Sequence, residues 1–492
     1  MDKEAIMLRT LIKFRRPLAV VSGGIIAMIL FSTASAQEED PVGDLAAALD
    51  TTWLMLAAFL VFFMQAGFAM VEAGFVRSKN VANILMKNIL DCSIGAIAFW
   101  AVGWGLAYGT TSGELFGSDQ FFLSGFGDNY AGWIFQFAFA ATAATIVSGA
   151  MAERTAFHGY LFYTVFITAI IYPVIVHWAW GSGWLTAFTD DPIGTNGYMD
   201  FAGTGVVHMV GGFAGLMGAI VVGPRIGKYA GGRVNAIPGH NISIAVLGMF
   251  ILWFGWYGFN PGSTLGLSGG LADLAAKVAV NTTLAAGAGA SCITFLSKFR
   301  YGKYDTSLTI NGALGGLVGI TAPCAAVDPW AAVVIGLVAA PVVLLGVELL
   351  DKLHIDDVVG AVSVHGFAGL WGVLSVGLFA TEAGVEAHTG VASGAYGLLV
   401  GGGAEQLGIQ ALGAFAIFAW TTITSGILFL AIKYTVGLRV SEEEEMRGLD
   451  IDEHGIEAYP NFERAPESGI GYAGDGIPAG ATMMSDAPAS ST

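Results

Sequence analysis

Charged side chains are scarce in this sequence. Asp, Glu, Lys and Arg make up 12% of its 492 residues against 55% hydrophobic, a ratio that excludes an ordinary soluble domain. Cysteine is nearly absent: Cys92, Cys292 and Cys324 stand alone in apolar stretches with no CxxC spacing, so neither a zinc site nor a disulfide framework is expected. There is no Gly-rich phosphate loop with a Lys, no His spacing of a metal site and no nucleophile elbow, so an enzyme, a cofactor and a bound metal are not expected. Basic residues are few as well, 21 against 38 acids, and a nucleic-acid partner is not expected. Much of the net charge of -17 belongs to a tail, because Ser441 to Thr492 holds twelve acids against Arg447 and Arg464.

What the chain has in abundance is apolar length and glycine, 70 of them, which suits close helix packing in lipid, where hydrophobicity does not drive association. Lys13, Arg15 and Arg16 precede an apolar run from Pro17 to Phe31 and a small-residue Ala34-Ser35-Ala36 site, the three parts of a secretory signal cleaved after Ala36. A mature N-terminus outside the cytoplasm is then expected. Eleven apolar segments, each long enough to cross ~30 Å of hydrocarbon, are expected near 51–75, 83–109, 131–152, 158–180, 203–223, 241–260, 272–296, 308–326, 331–350, 358–380 and 407–436. Of the sixteen Lys and Arg beyond residue 36, fifteen fall in or beside alternate loops and only Lys277 breaks the pattern. Cytoplasmic loops are rich in Lys and Arg, so the N-terminus is outside and the C-terminus inside. The opposite loops carry Glu114, Asp119, Asp128, Asp190, Asp191, Asp328, Glu382 and Glu386, a mildly negative outer face for a cation. The expected organisation is therefore a signal at 1–36, an all-α polytopic membrane domain at 37–440 and a cytoplasmic tail at 441–492, disordered beyond 460 because that extension is acidic and rich in Gly, Ala, Pro and Ser.

An internal repeat sets the architecture. Gly212-Phe213-Ala214-Gly215-Leu216-Met217-Gly218 in span five returns as Gly366-Phe367-Ala368-Gly369-Leu370-Trp371-Gly372 in span ten, each shortly after a Val-His pair. Two five-span halves are implied, and because five is odd the second half is inverted relative to the first, with a final helix added and the substrate path at the repeat interface. His208 and His365 lie within these two spans, where an ionisable group is costly and faces a bundle interior or a pathway. Neutral imidazoles in a dry pore can accept from or donate to a small polar molecule and relay a proton; the competing reading is a hydrogen bond to a backbone carbonyl. Phe135, Phe139, Trp180, Trp256 and Phe259 cluster at the outer ends of their spans, as a cup for a small cation or as an ordinary aromatic belt. Asp200 stands at the start of span five, where a carboxylate caps free N–H groups and secondarily favours a cation.

These residues together resemble the superfamily of ammonium transporters, methylammonium permeases and Rhesus proteins, on its bacterial ammonium transporter branch. The resemblance rests on Asp200-Phe201-Ala202-Gly203-x-x-Val206-Val207-His208, on Ala150 to Arg154, on Gly255 to Ser263, on Asp357 through His365-Gly366, and on Val436 to Val440 with Gly448-Leu449-Asp450 and His454-Gly455. It implies a homotrimer in the bacterial cytoplasmic membrane, each subunit with its own pore for ammonium or ammonia and with methylammonium as an analogue. It assigns Trp180, Phe135 and Ser263 to an outer recruitment site, Phe139 and Phe259 to a gate, His208 and His365 to the pore and Asp200 to a buried support. It also implies a PII-type signalling trimer docking on the cytoplasmic face, with Val436 to Tyr459 coupling the subunits. A Rhesus-type neutral gas channel and an ammonium sensor are the alternatives; Trp180 argues against the first, and the lack of a kinase or cyclase domain after span eleven against a fused form of the second.

Overall fold

A computed structural model describes residues 40–186, 197–389 and 395–460. The expected signal, the extension beyond 460 and the loop acids Asp190 and Asp191 lie outside the described residues. The chain divides into Met1–Leu49 and Asp50–Thr492. The described part of the first unit is residue 40 and the opening turns of helix Pro41–Phe75; the rest of that helix and every later span belong to the second.

Among the described residues ten helices are long and apolar enough to cross a membrane: Pro41–Phe75, Ser78–Tyr108, Tyr130–Met151, Phe157–Trp180, Thr204–Val222, Ile242–Thr264, Leu271–Tyr301, Pro329–Lys352, Val362–Phe379 and Glu405–Thr435. They correspond to expected spans one to seven and nine to eleven. The expected eighth, 308–326, is helix Thr306–Thr321, and its 16 residues rise only about 24 Å. It ends early because the chain turns through Ala322 to Val327, where Ala326 and Val327 donate back to the Pro323 carbonyl. Strands are confined, among the described residues, to a two-stranded hairpin of Thr111–Ser112 and Phe116–Gly117.

Local chemistry accounts for where several spans begin. The side chains of Asn129, Asn241 and Asp305 accept the N–H groups of Gly132, Ile244 and Leu308 at the starts of spans three, six and eight, satisfying donors that a helix start leaves free. Spans three, four, five and ten are the most buried, and spans two, seven and eleven the most open. The open faces carry Phe62, Ile97, Phe254, Phe295, Phe415 and Ile427, all exposed, as a surface bathed in lipid chains requires.

Spans five and ten cross where the repeat predicts. A Cβ added at Gly212 would collide with the backbone nitrogen of Gly366, its counterpart in the repeat, so only glycine allows the two backbones this approach. Phe213 and Phe367, the next equivalent pair, meet edge to face at 6.4 Å. Lys87, grouped with the loop bases by sequence, is buried within span two, though its ammonium reaches the Thr155 carbonyl at the same end of the bundle at 2.8 Å.

Candidate functional site

Spans five and ten begin alike. Asp200 stands eight residues before His208, and Asp357 eight before His365. The Asp200 carboxylate accepts four backbone N–H groups, from Gly203, Thr204, Gly205 and Val206, at 2.8 to 3.0 Å. Asp357 accepts those of Ala361 and Val362 at 2.9 Å and of Ser363 at 3.4 Å. In both spans a wide π-helical turn comes next, Thr204–Met209 and Val362–Phe367, and each contains the histidine. A wide turn lifts one side chain out of the regular helical stripe, which is how two helices that meet at glycine also meet at histidine. Burial pushes the Asp357 carboxyl up to about 6 against the pull of its backbone donors.

The histidines touch. Their Nδ1 atoms are 3.2 Å apart, and the rings are 5.2 Å between centroids and inclined by 27°. Since one Nδ1 must donate and the other accept, the pair holds a single shared hydrogen there and leaves its Nε2 atoms for other partners; that of His208 is buried without one.

A column of rings leads to this pair. Trp180 lies 6.2 Å from Phe139, Phe139 stacks on Phe259 at 4.1 Å and 22°, and Phe259 on His208 at 5.3 Å and 26°. Trp256 lies over His208 at 5.1 Å, and Phe68 is 6.1 Å beyond His365. Phe135, Phe139 and Phe259 are buried, so the stack closes the way between Trp180 and the histidines to water.

At the Trp180 end a cavity of about 290 Å³ is lined by Trp180, Asp200, Ser263, Tyr198 and Leu271 among others. The Trp180 indole donates to the Asp200 carbonyl at 2.8 Å, which orients its ring, and the Ser263 hydroxyl donates to the Phe259 carbonyl at 2.8 Å, leaving its lone pairs to accept. Gly203, at φ +105°, makes room for this arrangement: a Cβ there would come 3.0 Å from the Trp180 ring. Phe135 does not line this cavity; its ring packs 4.6 Å from that of Phe139, one helical turn nearer the start of span three. His177 is outside the column, bonding the Ala107 carbonyl at the end of span two and the Thr111 hydroxyl of the neighbouring hairpin.

Sequence reasoning singled out Trp180, Phe135, Ser263, Phe139, Phe259, His208, His365 and Asp200, and the structure brings Trp180, Phe139, Phe259, His208 and His365 into one line, with Asp200 and Ser263 in the wall of the cavity at its Trp180 end and Phe135 beside Phe139. It missed Asp357 as the partner of Asp200, although the equal eight-residue spacing to histidine was there to be read. Phe68 had no signal apart from being aromatic, and Trp256, read as part of the outer aromatic cluster, stands over His208 instead.

A profile of the Ammonium Transporter Family matches residues 52–459. The chain belongs to the ammonium transporter family. It is 46% identical over 457 residues to "Ammonium transporter Amt2" of Archaeoglobus fulgidus, covering 89% of this chain and 94% of that one. Among solved structures it is similar to one titled "Sensor Amt Protein", at 38% identity and a TM-score of 0.76, over 84% of this chain and all of the other. It also resembles Mep2 of Candida albicans, at 30% identity and a TM-score of 0.72, over 81% of this chain and 87% of that one.

Proposed function

We propose that this multi-pass ammonium transporter takes ammonium from the outer face, separates it from a proton at the aromatic gate and passes ammonia along His208 and His365 to the cytoplasm. The observation that carries this reading is the unbroken contact line from Trp180 through the Phe139 and Phe259 stack to two histidines sharing one hydrogen. The open cavity offers ammonium the Trp180 face, an attraction of about 0.5–2 kcal/mol, and a Ser263 oxygen whose own hydrogen is already engaged. Beyond it the buried ring stack admits no hydration shell, which disfavours the charged form. The histidines then serve as acceptor and donor for ammonia and as a station for the proton. Potassium has no proton to release and is rejected at the same point.

In this reading the Trp180 end faces outward, the tail lies in the cytoplasm and the bilayer is a bacterial inner membrane. The open faces of the outer spans leave room for the homotrimer, and the end bearing the tail for a PII-type regulator. The test is the current from liposomes on a solid-supported membrane after an ammonium pulse, against equal potassium and against His208→Ala. An ammonium-specific current, lost or made permissive to potassium in the variant, is expected. Detectable binding with neither current nor a change in internal pH would defeat the transport reading and favour the sensor reading, towards which the similarity to the "Sensor Amt Protein" structure points.

A further inference from the structure

The path does not end at His365. A small cavity beyond it is lined by His365, Phe68, Glu72, Asn311, Val359 and Gly360 among others, and its free volume of about 20 Å³ suits one water-sized molecule. Asn311, Val359 and Gly360 also line an open vestibule of about 340 Å³ at the tail end. Phe68 and Glu72 are four residues apart on span one and so share a face, with Glu72 one turn further on. The order along the path is thus His365, the one-molecule cavity with Glu72 in its wall, and the vestibule.

Glu72 is 2% exposed and lies inside an apolar span, where a carboxyl is expensive and marks a proton or ion path. Among the described residues no ion pair holds it. Its Oε1 is 2.5 Å from the Ser148 hydroxyl and its Oε2 accepts from the Asn88 amide at 2.8 Å. The charged neighbours on span two are engaged elsewhere: Lys87 donates to the Thr155 carbonyl, and Asp91 accepts from Tyr160 and Thr164. The Ser148 oxygen also lies 2.7 Å from the Thr145 carbonyl. A hydroxyl has one hydrogen and cannot donate to both oxygens. Both contacts are filled when Ser148 donates to Thr145 and Glu72 carries a hydrogen that it donates to Ser148.

From this geometry we infer that Glu72 is the proton donor that turns ammonia back into ammonium at the inner end of the pore. The inference rests on the transport reading above. Ammonia in the cavity takes the carboxyl hydrogen: the O–H bond breaks, an N–H bond forms, and ammonium leaves for the vestibule past Asn311, which lines both spaces. The Glu72 carboxylate regains a proton from His365 across the shared cavity, the one that ammonium left on the histidine pair. No other reactant is consumed.

The experiment uses the full chain in liposomes, with ammonium-evoked current and internal pH read together, for wild type, Glu72→Gln and Glu72→Asp. Glu72→Gln keeps the shape and cannot give up a proton. Its current is expected to fall by about a hundredfold, the lower end of the range for losing a positioned proton donor, while ammonia still enters and alkalinises the lumen. Glu72→Asp is expected to recover part of the current. An unchanged current in Glu72→Gln overturns the inference and leaves the transport reading intact. So does loss of both current and alkalinisation in both variants with assembly unchanged, since that is a structural defect. A wild type that alkalinises without current removes the proton leg of the transport reading and this inference with it.

Discussion

Spans five and ten are built on one plan and end in different surroundings. Each has an aspartate capping its first turn, a histidine eight residues on, a π-helical turn around that histidine and a glycine at the crossing. His208, however, is sealed at 0% exposure between Trp256 and Phe259, whereas His365, at 4%, borders a cavity on the way to the vestibule. Asp200 accepts four N–H groups while its carbonyl steers Trp180; Asp357 accepts three, one of them long. An inverted repeat places equivalent backbones on either side of the membrane centre, and the side chains packed around them leave a cavity beside Trp180 at one end and a small cavity next to a vestibule at the other.

Variants at equivalent positions probe that asymmetry. The largest effect is expected at the caps. Asp200→Ala leaves four buried donors without an acceptor, and at about 1–3 kcal/mol for each buried group left unpaired the protein loses several kcal/mol. Asp357→Ala costs less, with fewer and longer bonds. Thermal unfolding in detergent ranks the two, and equal losses would contradict the asymmetry.

The glycines come next. At Gly212 a Cβ meets the Gly366 backbone, which cannot yield, so Gly212→Ala is expected to cost about 1–3 kcal/mol or more. At Gly366 the nearest atom to an added Cβ is a Phe213 ring carbon at 3.4 Å, a contact that a small shift accommodates, and Gly366→Ala should be nearly neutral. Melting temperatures of the two variants decide the matter, and a reversed order would mean that the crossing lies elsewhere.

A smaller difference is expected between the histidines. His208→Ala opens a void between two stacked rings, whereas His365→Ala enlarges an existing cavity. The first should be the more destabilising by about 1 kcal/mol, the scale of an aromatic pair, as read by chemical or thermal denaturation.

The mildest test concerns pH and the tail end. Burial pushes the Glu153 carboxyl up, yet the Arg225 and Arg77 guanidinium groups bonded to it overcome this and hold it at about 2. A carboxyl depressed on folding contributes stability above its unfolded value, ~4.3, and loses it as pH falls towards the folded one. Resistance to unfolding should therefore drop between about pH 4 and pH 2, and Glu153→Gln should flatten that part of the profile. A profile unchanged by the substitution would show that the arginines do not stabilise this end through Glu153.

Much of the site was legible because the sequence carries its own symmetry. The repeated glycine motif and the Val-His pairs place two histidines on related helices, and the aromatics of spans three, four and six fall at matching depths. Glu72 was equally visible as an acid in an apolar run, but nothing in the run says what stands opposite it. Asp450 shows the same limit from the other direction: in sequence it is one acid of an acidic tail, in the fold it accepts the Ala82 and Asn83 N–H groups at the start of span two. The short helix Thr306–Thr321 escaped because apolar residues continue past its end, and hydropathy does not distinguish a helix from a buried turn.

The sequence by itself determined the class of molecule, its helical spans, the inverted relation of its halves and the residue types of the pathway. These come from composition, from the length of apolar runs and from repetition, all of which are local or additive along the chain. Only the tertiary structure decided that the two histidines share a hydrogen, that three phenyl rings close the route above them, and that a carboxyl stands below them beside a space for one small molecule. Such relations join residues as far apart as Phe68 and His365, and they depend on the angle at which helices cross, which side-chain packing fixes.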